Sequence, residues 1–93
     1  MSRELLDILA GLEPEELGEI GDVRMIPVES SNLAAVGYNK DSYELTIAFL
    51  DGSIYRYSGV PYEEYVDLMK ADSHGEYFVD NIRLIYEFER IAG

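Results

Sequence analysis

The sequence predicts a small α+β domain in which an antiparallel β-meander of three to four strands packs against two C-terminal helices. Three observations predict this fold. Residues 33–57 alternate apolar and polar side chains between turn residues, which is typical of antiparallel strands buried on one face. From residue 61 onward the apolar residues recur at helical spacing instead. A chain of 93 residues that is 47% hydrophobic has enough apolar surface for one packed core.

Residues 1–24 are predicted to form a helical extension, and the domain itself is predicted to span residues 25–93. The segment SRELLDILA places its apolar residues on one stripe, and Ser2 can serve as its N-cap. Pro14 suits the first turn of a second short helix in the segment EPEELGEI, which Gly18 and Gly21 interrupt. The extension is expected to dock on the domain or on a second copy of the chain, which would make the protein a homo-oligomer.

The meander is predicted from three alternating segments separated by turns. The segments are LAAVGYN, YELTIAFL and SIYRY, residues 33–39, 43–50 and 53–57. Asp51-Gly52 lies between the last two and predicts a hairpin, because glycine adopts the positive φ that a tight turn demands. A short fourth strand is expected near residues 25–28.

Two helices are predicted after the meander. The first begins at Pro61 in the segment PYEEYVDLMKA. The second is predicted to run from Ser73 to about residue 91, because five apolar residues follow one helical face: Phe78, Ile82, Ile85, Phe88 and Ile91. Ser73 and Glu76 have the spacing of a capping box at its start.

Four of the eight tyrosines fall in the stretch IYRYSGVPYEEY, residues 54–65. Tyrosine interleaved with arginine is typical of proteins that stack nucleic-acid bases. In a strand, however, Tyr55 and Tyr57 share one face and Arg56 points to the other, so the rings cannot flank the guanidinium. We therefore expect both tyrosines to pack under the helices, and Arg56 to lie on the uncovered face, where it is available for function.

Charge limits the classes of function. Nineteen acidic residues face seven basic ones, for a formal net charge of −12, and residues 25–93 alone hold twelve acids and five bases. Such a surface repels a long nucleic-acid duplex, whose binders rely on Lys and Arg. A small anion in a local basic pocket stays open as a ligand. The simplest interpretation of the acidity is that it keeps a small protein dispersed.

Several classes of site are not expected. The chain has no cysteine, so disulfides and thiolate metal sites are excluded. His74 is the one histidine, and no nucleophile motif or metal-ligand spacing accompanies it, so neither catalysis nor a metal or cofactor is expected. No apolar run approaches the roughly 20 residues of a membrane span. A cytoplasmic protein without membrane contact is the expectation.

From about residue 28 to residue 91 the chain resembles the KTSC domain family. The resemblance is carried by VESSNLAAVGY, by the pattern L-x-I-x-F-x-x-G-x-x-Y-x-Y from Leu45 to Tyr57, by Val60-Pro61, and by A-x-S-x-G-x-Y-F from Ala71 with Ile82-Arg83. This family is named after the C-terminal domain of some lysyl-tRNA synthetases, and its members also occur as small bacterial or phage proteins. The resemblance implies no catalytic residues, and the synthetase context implies RNA binding.

Two functional hypotheses follow. The first is a non-enzymatic module that binds RNA or a small nucleotide. Its candidate residues are the bases Arg56, Lys70 and Arg83, an anion cradle of Ser73, His74 and Gly75 at a helix start, the polar pair Ser30 and Ser31, and Tyr38. Capping could account for the helix start, and an ordinary turn for the two serines. The second hypothesis is an acidic module that binds a basic protein partner or self-associates.

Overall fold

Six antiparallel strands form one sheet in chain order, β1-β2-β3-β4-β5-β6, in a computed structural model that describes residues 19–20 and 23–93. Two helices, α1 and α2, lie between β5 and β6 along the chain. The strands are β1 Glu19–Ile20, β2 Val23–Pro27, β3 Leu33–Asn39, β4 Glu44–Phe49, β5 Ile54–Tyr57 and β6 Phe88–Ala92, and the helices are α1 Tyr62–Lys70 and α2 His74–Asn81. The predicted α+β fold is confirmed. No helix in residues 23–93 is long and apolar enough to cross a membrane.

The main core lies between the sheet and the two helices. Alternation along β3 to β5 sends Val36, Leu45 and Ile47 to the helix side, where all three are inaccessible to solvent. They pack with residues of the helices and loops, namely Val28, Leu33, Tyr57, Val60, Leu68, Phe78 and Ile82. Burying a side chain of this size stabilises the fold by about 1.5–3 kcal/mol. This core therefore fixes the helices on one face of the sheet.

The opposite face of the sheet carries a second, smaller cluster around Val23, Met25 and Ala35. The lack of a side chain at Gly37 allows the side chains of the neighbouring strand β2 to pack on this face. Its register partner is Met25, and a Cβ atom at position 37 would lie 2.3 Å from Val23 Cγ1 and 2.6 Å from Met25 Sδ. Because real side-chain contacts are never that short, the missing side chain of Gly37 is what admits the two side chains of β2.

The hairpin between β4 and β5 forms at the predicted Asp51-Gly52. The loop has three residues, since Phe49 N–H donates to Ser53 O at 2.9 Å and Gly52 N–H donates to Phe49 O at 3.0 Å. Gly52 has φ 96°, so it supplies the left-handed conformation that ends such a loop. One Asp51 carboxylate oxygen accepts from the Ser53 N–H at 2.9 Å and from its hydroxyl at 2.6 Å.

The long second helix predicted from residue 73 to residue 91 is wrong beyond Asn81. The chain turns at residues 82–86 and returns as β6, which pairs with β5. Phe88 lies opposite Tyr57 in this register and packs against its ring. Pairing with the β5 edge satisfies backbone groups and buries aromatic surface, and this tertiary gain outweighs the helical spacing of the apolar residues. The sheet consequently has more strands than predicted.

Of the helical extension predicted for residues 1–24, residues 1–18 lie outside the described residues, whereas residues 19–20 and 23–24 belong to strands rather than to a helix, because they pair with each other. The expected fourth strand is present as β2, and it begins at Val23, two residues before the predicted start of the domain. A two-residue strand, β1, pairs with it, Ile20 lying opposite Val23.

Candidate functional site

A cleft of about 370 Å³ opens on the helix side of the sheet, between β5, β6 and the C-terminal end of α2. Its lining comes from four stretches of the chain, at residue 32, residues 49–57, residues 78–84 and residue 88: Asn32, Phe49, Asp51, Ser53, Tyr55, Tyr57, Phe78, Val79, Arg83, Leu84 and Phe88. We call this the aromatic cleft. Ligand pockets in proteins are of roughly 300–1,000 Å³ and are mostly apolar with a few polar groups. The aromatic cleft has the volume and the composition of a small-molecule site.

Five aromatic rings form the walls of the cleft. Phe78 stands edge-on to Phe49 at 5.4 Å and to Tyr57 at 5.4 Å, measured between ring centroids. Tyr55 contacts Phe49 edge-on at 5.8 Å, and Phe88 lies 5.6 Å from Tyr55 and 5.7 Å from Tyr57. Edge-to-face contacts of this kind hold rings in fixed orientations. The walls are therefore ordered before any ligand arrives.

Polar groups lie at the borders of the aromatic cleft. Arg83 is the one basic residue in its lining, and Asp51 is the one acidic residue. Burial raises the pKa of Tyr57 to about 12, and the positive charge of Arg83 limits that rise. The hydrogen bonds from Ser53 hold the pKa of Asp51 below its usual range. Arg83 therefore stands close enough to the Tyr57 hydroxyl to influence it, and the cleft pairs apolar walls with a single cation.

Large apolar side chains surround the opening of the cleft. Leu84 is 81% exposed, Phe88 57% and Val79 43%. We call these three residues the apolar rim. Single exposed apolar residues are normal, but a group of them beside a cleft marks a site of interaction. Helical spacing did not predict this rim, because Leu84 and Phe88 lie on the turn and strand that replace the end of the predicted helix.

The predicted basic candidates are not brought together. Arg83 lines the aromatic cleft, whereas Lys70 is exposed at the end of α1. Arg56 lies in β5 and pairs in register with Thr46 and Glu89, on the sheet face opposite the helices. It is half-buried there, and its Nε lacks a hydrogen-bond partner, as does the hydroxyl of Thr46.

The predicted anion cradle at the start of α2 is occupied by its own capping contacts. Ser73 is the N-cap, and its hydroxyl accepts from the Glu76 N–H at 3.1 Å. His74 Nδ1–H donates to Leu68 O at 2.8 Å. Gly75 lies against the Ser30 hydroxyl, which a Cβ at position 75 would approach to 3.5 Å. The groove beside Ser73 is lined by three acids, Asp72, Glu76 and Asp80, which disfavour an anion.

The polar pair before β3 forms a turn. Ser30 Oγ accepts from the N–H groups of Asn32 at 3.1 Å and Leu33 at 3.0 Å, while Ser31 is exposed. Tyr38 donates its hydroxyl to Val60 O at 2.6 Å and stacks on Tyr65 at 5.0 Å between centroids. Burial raises the pKa of Tyr38 above its ordinary value. These three candidates lie away from the aromatic cleft.

A second aromatic group lies on the helix side, and three of its five hydroxyls, those of Tyr38, Tyr77 and Tyr86, donate hydrogen bonds. Its members, which we call the tyrosine cluster, are Tyr38, Tyr62, Tyr65, Tyr77 and Tyr86. Glu64 accepts hydrogen bonds from Tyr77 and, at 2.9 Å, from Tyr86. Burial, followed by the bond to Glu64, raises the pKa of Tyr77 and raises that of Tyr86 to about 12. One carboxylate thereby links α1 to α2 and to the turn before β6.

Within the residues that the structure describes, no three His, Asp or Glu side chains converge in a way that could hold a metal ion. Sequence reasoning identified Arg83 but not the cleft that it lines. A signal was nevertheless present: the alternating aromatic residues of β4 and β5 predict a sheet face rich in rings.

A family model and a solved structure point to the same family. Residues 29–86 match the model of the KTSC domain. An uncharacterised protein of Stutzerimonas stutzeri is 36% identical over 56 residues, which are 60% of this chain and 79% of that protein. A protein of Tsukamurella paurometabola is 43% identical over 58 residues, which are 62% of this chain and 85% of its own length. The crystal structure of a KTSC domain protein from Yersinia pestis superposes with a TM-score of 0.71 at 33% identity, covering 74% of this chain and 97% of that one.

Proposed function

Because this chain belongs to the KTSC domain family, we propose that it is a small non-enzymatic binding module whose aromatic cleft takes a small nucleotide. The observation that carries the proposal is the composition of the cleft: five aromatic rings enclose about 370 Å³, and one arginine stands among the lining residues. A base can stack on an aromatic wall, and a guanidinium is the side chain best suited to a phosphate.

The electrostatics favour a small ligand over a long RNA. A net charge of −12 repels an extended chain of phosphates, which would need many basic contacts. A mononucleotide presents one phosphate group to Arg83 and leaves most of the acidic surface untouched. Among the basic side chains in the described residues, Arg83 is the one that lines the aromatic cleft, so it is the residue on which the proposal depends.

Binding is tested by thermal unfolding of the full chain with a panel of mononucleotides, cyclic dinucleotides, short RNAs and inorganic phosphate. A ligand at about 100 times its Kd stabilises the fold by about 2.7 kcal/mol, which raises the Tm by roughly 10–20 °C in a domain of this size. The expected result is a shift with one class of mononucleotide. An equal rise in Tm with inorganic phosphate alone would show that the aromatic walls do not contribute to binding.

Arg83→Gln is the variant that locates the site, and Arg24→Gln is its matched control, since Arg24 is exposed on β2. Loss of a charge-assisted contact costs about 1.5–3 kcal/mol, so Arg83→Gln should weaken nucleotide binding by roughly tenfold to a hundredfold. Arg24→Gln should bind as the parent does. The proposal would be refuted if no ligand of the panel raised the Tm, or if Arg83→Gln and Arg24→Gln bound the nucleotide with equal affinity.

A further inference from the structure

The last strand of the sheet, β6, has a free edge. It pairs with β5 on one side and with no described strand on the other. Phe88, Glu89 and Arg90 are all exposed. An exposed edge strand offers a row of unpaired N–H and C=O groups to any other extended chain.

The direction of these backbone groups follows from one hydrogen bond. Ser58 N–H donates to Glu87 O at 2.9 Å, so these two residues form a hydrogen-bonded pair just beyond the end of β5. Pairs alternate along an antiparallel ladder, and the next pair, Tyr57 with Phe88, is therefore the non-hydrogen-bonded kind. The N–H and C=O of Phe88 consequently point away from β5, toward the free edge.

Apolar surface lies beside that edge. The ring of Phe88 faces the aromatic cleft, where Leu84 and Val79 complete the apolar rim. On the other face of β6, Glu89 lies opposite Arg56 in register, yet the two form no ion pair. An added strand would thus meet Phe88, the apolar rim and Arg90 on one face, and the Glu89 carboxylate on the other.

A second copy of this chain suits the edge poorly in most registers. A two-fold axis through an antiparallel pair of β6 strands places some residue opposite itself. Centring the pair on Glu89 opposes two carboxylates, and centring it on Arg90 opposes two guanidiniums. Centring it on Phe88 opposes Glu87 to Glu89 twice. Like charges directly opposite one another destabilise a sheet, so these three registers are disfavoured, and a register centred on Ile91 is one that opposes no like charges.

We propose that the free edge of β6 binds an extended peptide in which apolar and basic residues alternate. Its apolar side chains would pack beside Phe88 and Leu84, and its Lys or Arg side chains would face Glu89. Charge complementarity selects this occupant, since the chain as a whole has a net charge of −12 and β6 carries a glutamate next to its exposed phenylalanine. This surface is the outer edge of the sheet, and it is distinct from the interior of the cleft proposed for a nucleotide.

The test uses a capped peptide of about nine residues, a typical strand length, that alternates lysine with valine and leucine. The control peptide has the same residues with all lysines in one block. Fluorescence anisotropy with the full chain measures affinity, and amide hydrogen exchange measures protection of Phe88. The alternating peptide should bind at least about tenfold more tightly than the block peptide, and it should protect the Phe88 amide.

Glu89→Lys is the informative variant, because it replaces attraction with repulsion across one pair. Its expected effect is a loss of affinity of about threefold to tenfold. Asp67→Lys makes the same change of charge on the exposed face of α1 and should bind within about twofold of the parent. Glu87→Lys is the second variant should Glu89→Lys not fold.

Three outcomes would overturn the proposal. Equal binding of the two peptides would show charge attraction without strand addition. An unprotected Phe88 amide in the bound state would place the peptide elsewhere. A dimer of the chain alone that protects the Phe88 amide would assign the edge to a second copy. None of these outcomes depends on whether a nucleotide binds, which Arg83→Gln tests separately.

Discussion

The two aromatic groups on the helix side of the sheet differ in how their surfaces are satisfied. In the tyrosine cluster, the hydroxyls of Tyr38, Tyr77 and Tyr86 each donate to a carbonyl or to Glu64. In the aromatic cleft, the rings contact one another at their edges and leave about 370 Å³ open beside an exposed Phe88. The hydrogen bonds of the tyrosine cluster connect the helices to neighbouring segments, whereas the aromatic cleft has unfilled space that a ligand could occupy.

This difference distinguishes side chains that stabilise the fold from a surface that can bind a ligand. A polar group that already has a partner gains little from a ligand, because binding would only exchange one hydrogen bond for another. Apolar rings that face solvent gain the full transfer free energy when a ligand covers them. We therefore expect changes in the tyrosine cluster to alter stability and changes in the cleft rim to alter binding.

The largest expected effect compares one substitution in the two regions. Leu68 in α1 is inaccessible beneath the tyrosine cluster, and Leu84 is 81% exposed on the apolar rim. Leu68→Ala should lower the free energy of unfolding by about 2–5 kcal/mol, because it removes buried methyl groups and leaves a cavity. Leu84→Ala should change it by less than about 0.5 kcal/mol. Urea unfolding measures the free energy of unfolding of both variants. Similar decreases in the two would show that the regions do not differ in their contribution to stability.

A smaller effect is expected from the carboxylate that joins the tyrosine cluster. Glu64→Ala leaves the Tyr77 and Tyr86 hydroxyls without their acceptor and should cost about 1–3 kcal/mol of stability. Glu64→Gln keeps an acceptor oxygen and should cost less. The adjacent, exposed Glu63→Ala is the control. Chemical denaturation ranks the three variants by their free energy of unfolding. A Glu64→Ala protein as stable as the control would show that the hydrogen bonds to Glu64 do not stabilise the fold.

The smallest effect is a dependence of stability on alkaline pH. The pKa of Tyr86 is raised to about 12 in the folded chain, against about 10 for an unfolded tyrosine. Its contribution is fully present below about pH 10, because both states are then protonated. As the pH rises toward 12 the unfolded state loses a proton that the folded state keeps, so this stability declines and is lost above the folded pKa.

Unfolding midpoints measured between pH 8 and pH 12 check this dependence. Tyr86→Phe removes the titrating group and should flatten the alkaline decline in part, since Tyr77 has a raised pKa from the same causes. Tyr62→Phe, at a ring that is 51% exposed, is the control for loss of a hydroxyl. An alkaline decline as steep in Tyr86→Phe as in the parent would contradict the assignment.

Much of the fold could be predicted from local sequence. Alternation between turn residues located β3, β4 and β5, and the Ser73 N-cap located the start of α2, because each depends on a few neighbouring residues. The end of α2 could not be located in this way. Phe88 fits both a helical stripe and a strand partner for Tyr57, and only the free edge of β5 decides between them.

The candidate site was less predictable. Arg83 was identified as one base among several, but the cleft that it lines draws on four stretches separated along the chain. Arg56 was correctly expected on the face opposite the helices, and its half-buried position there follows from pairing on both sides of β5. Tyr55 and Tyr57 do pack on the helix side, as expected; Tyr57 belongs to the main core, and both rings also line the cleft.

The close approach at Gly37 has a consequence for a saturation-mutagenesis library of this chain. Gly52 and Gly59 have positive φ with open space around them, so asparagine, which tolerates that conformation, should survive selection at both. At position 37 even alanine meets Val23 and Met25, and no choice of backbone-compatible residue relieves the overlap. Because a Cβ at position 37 would also lie 2.9 Å from the carbonyl oxygen of Arg24, a backbone atom, smaller residues at 23 and 25 together relieve the overlap only in part, and glycine should dominate at 37 among the surviving clones.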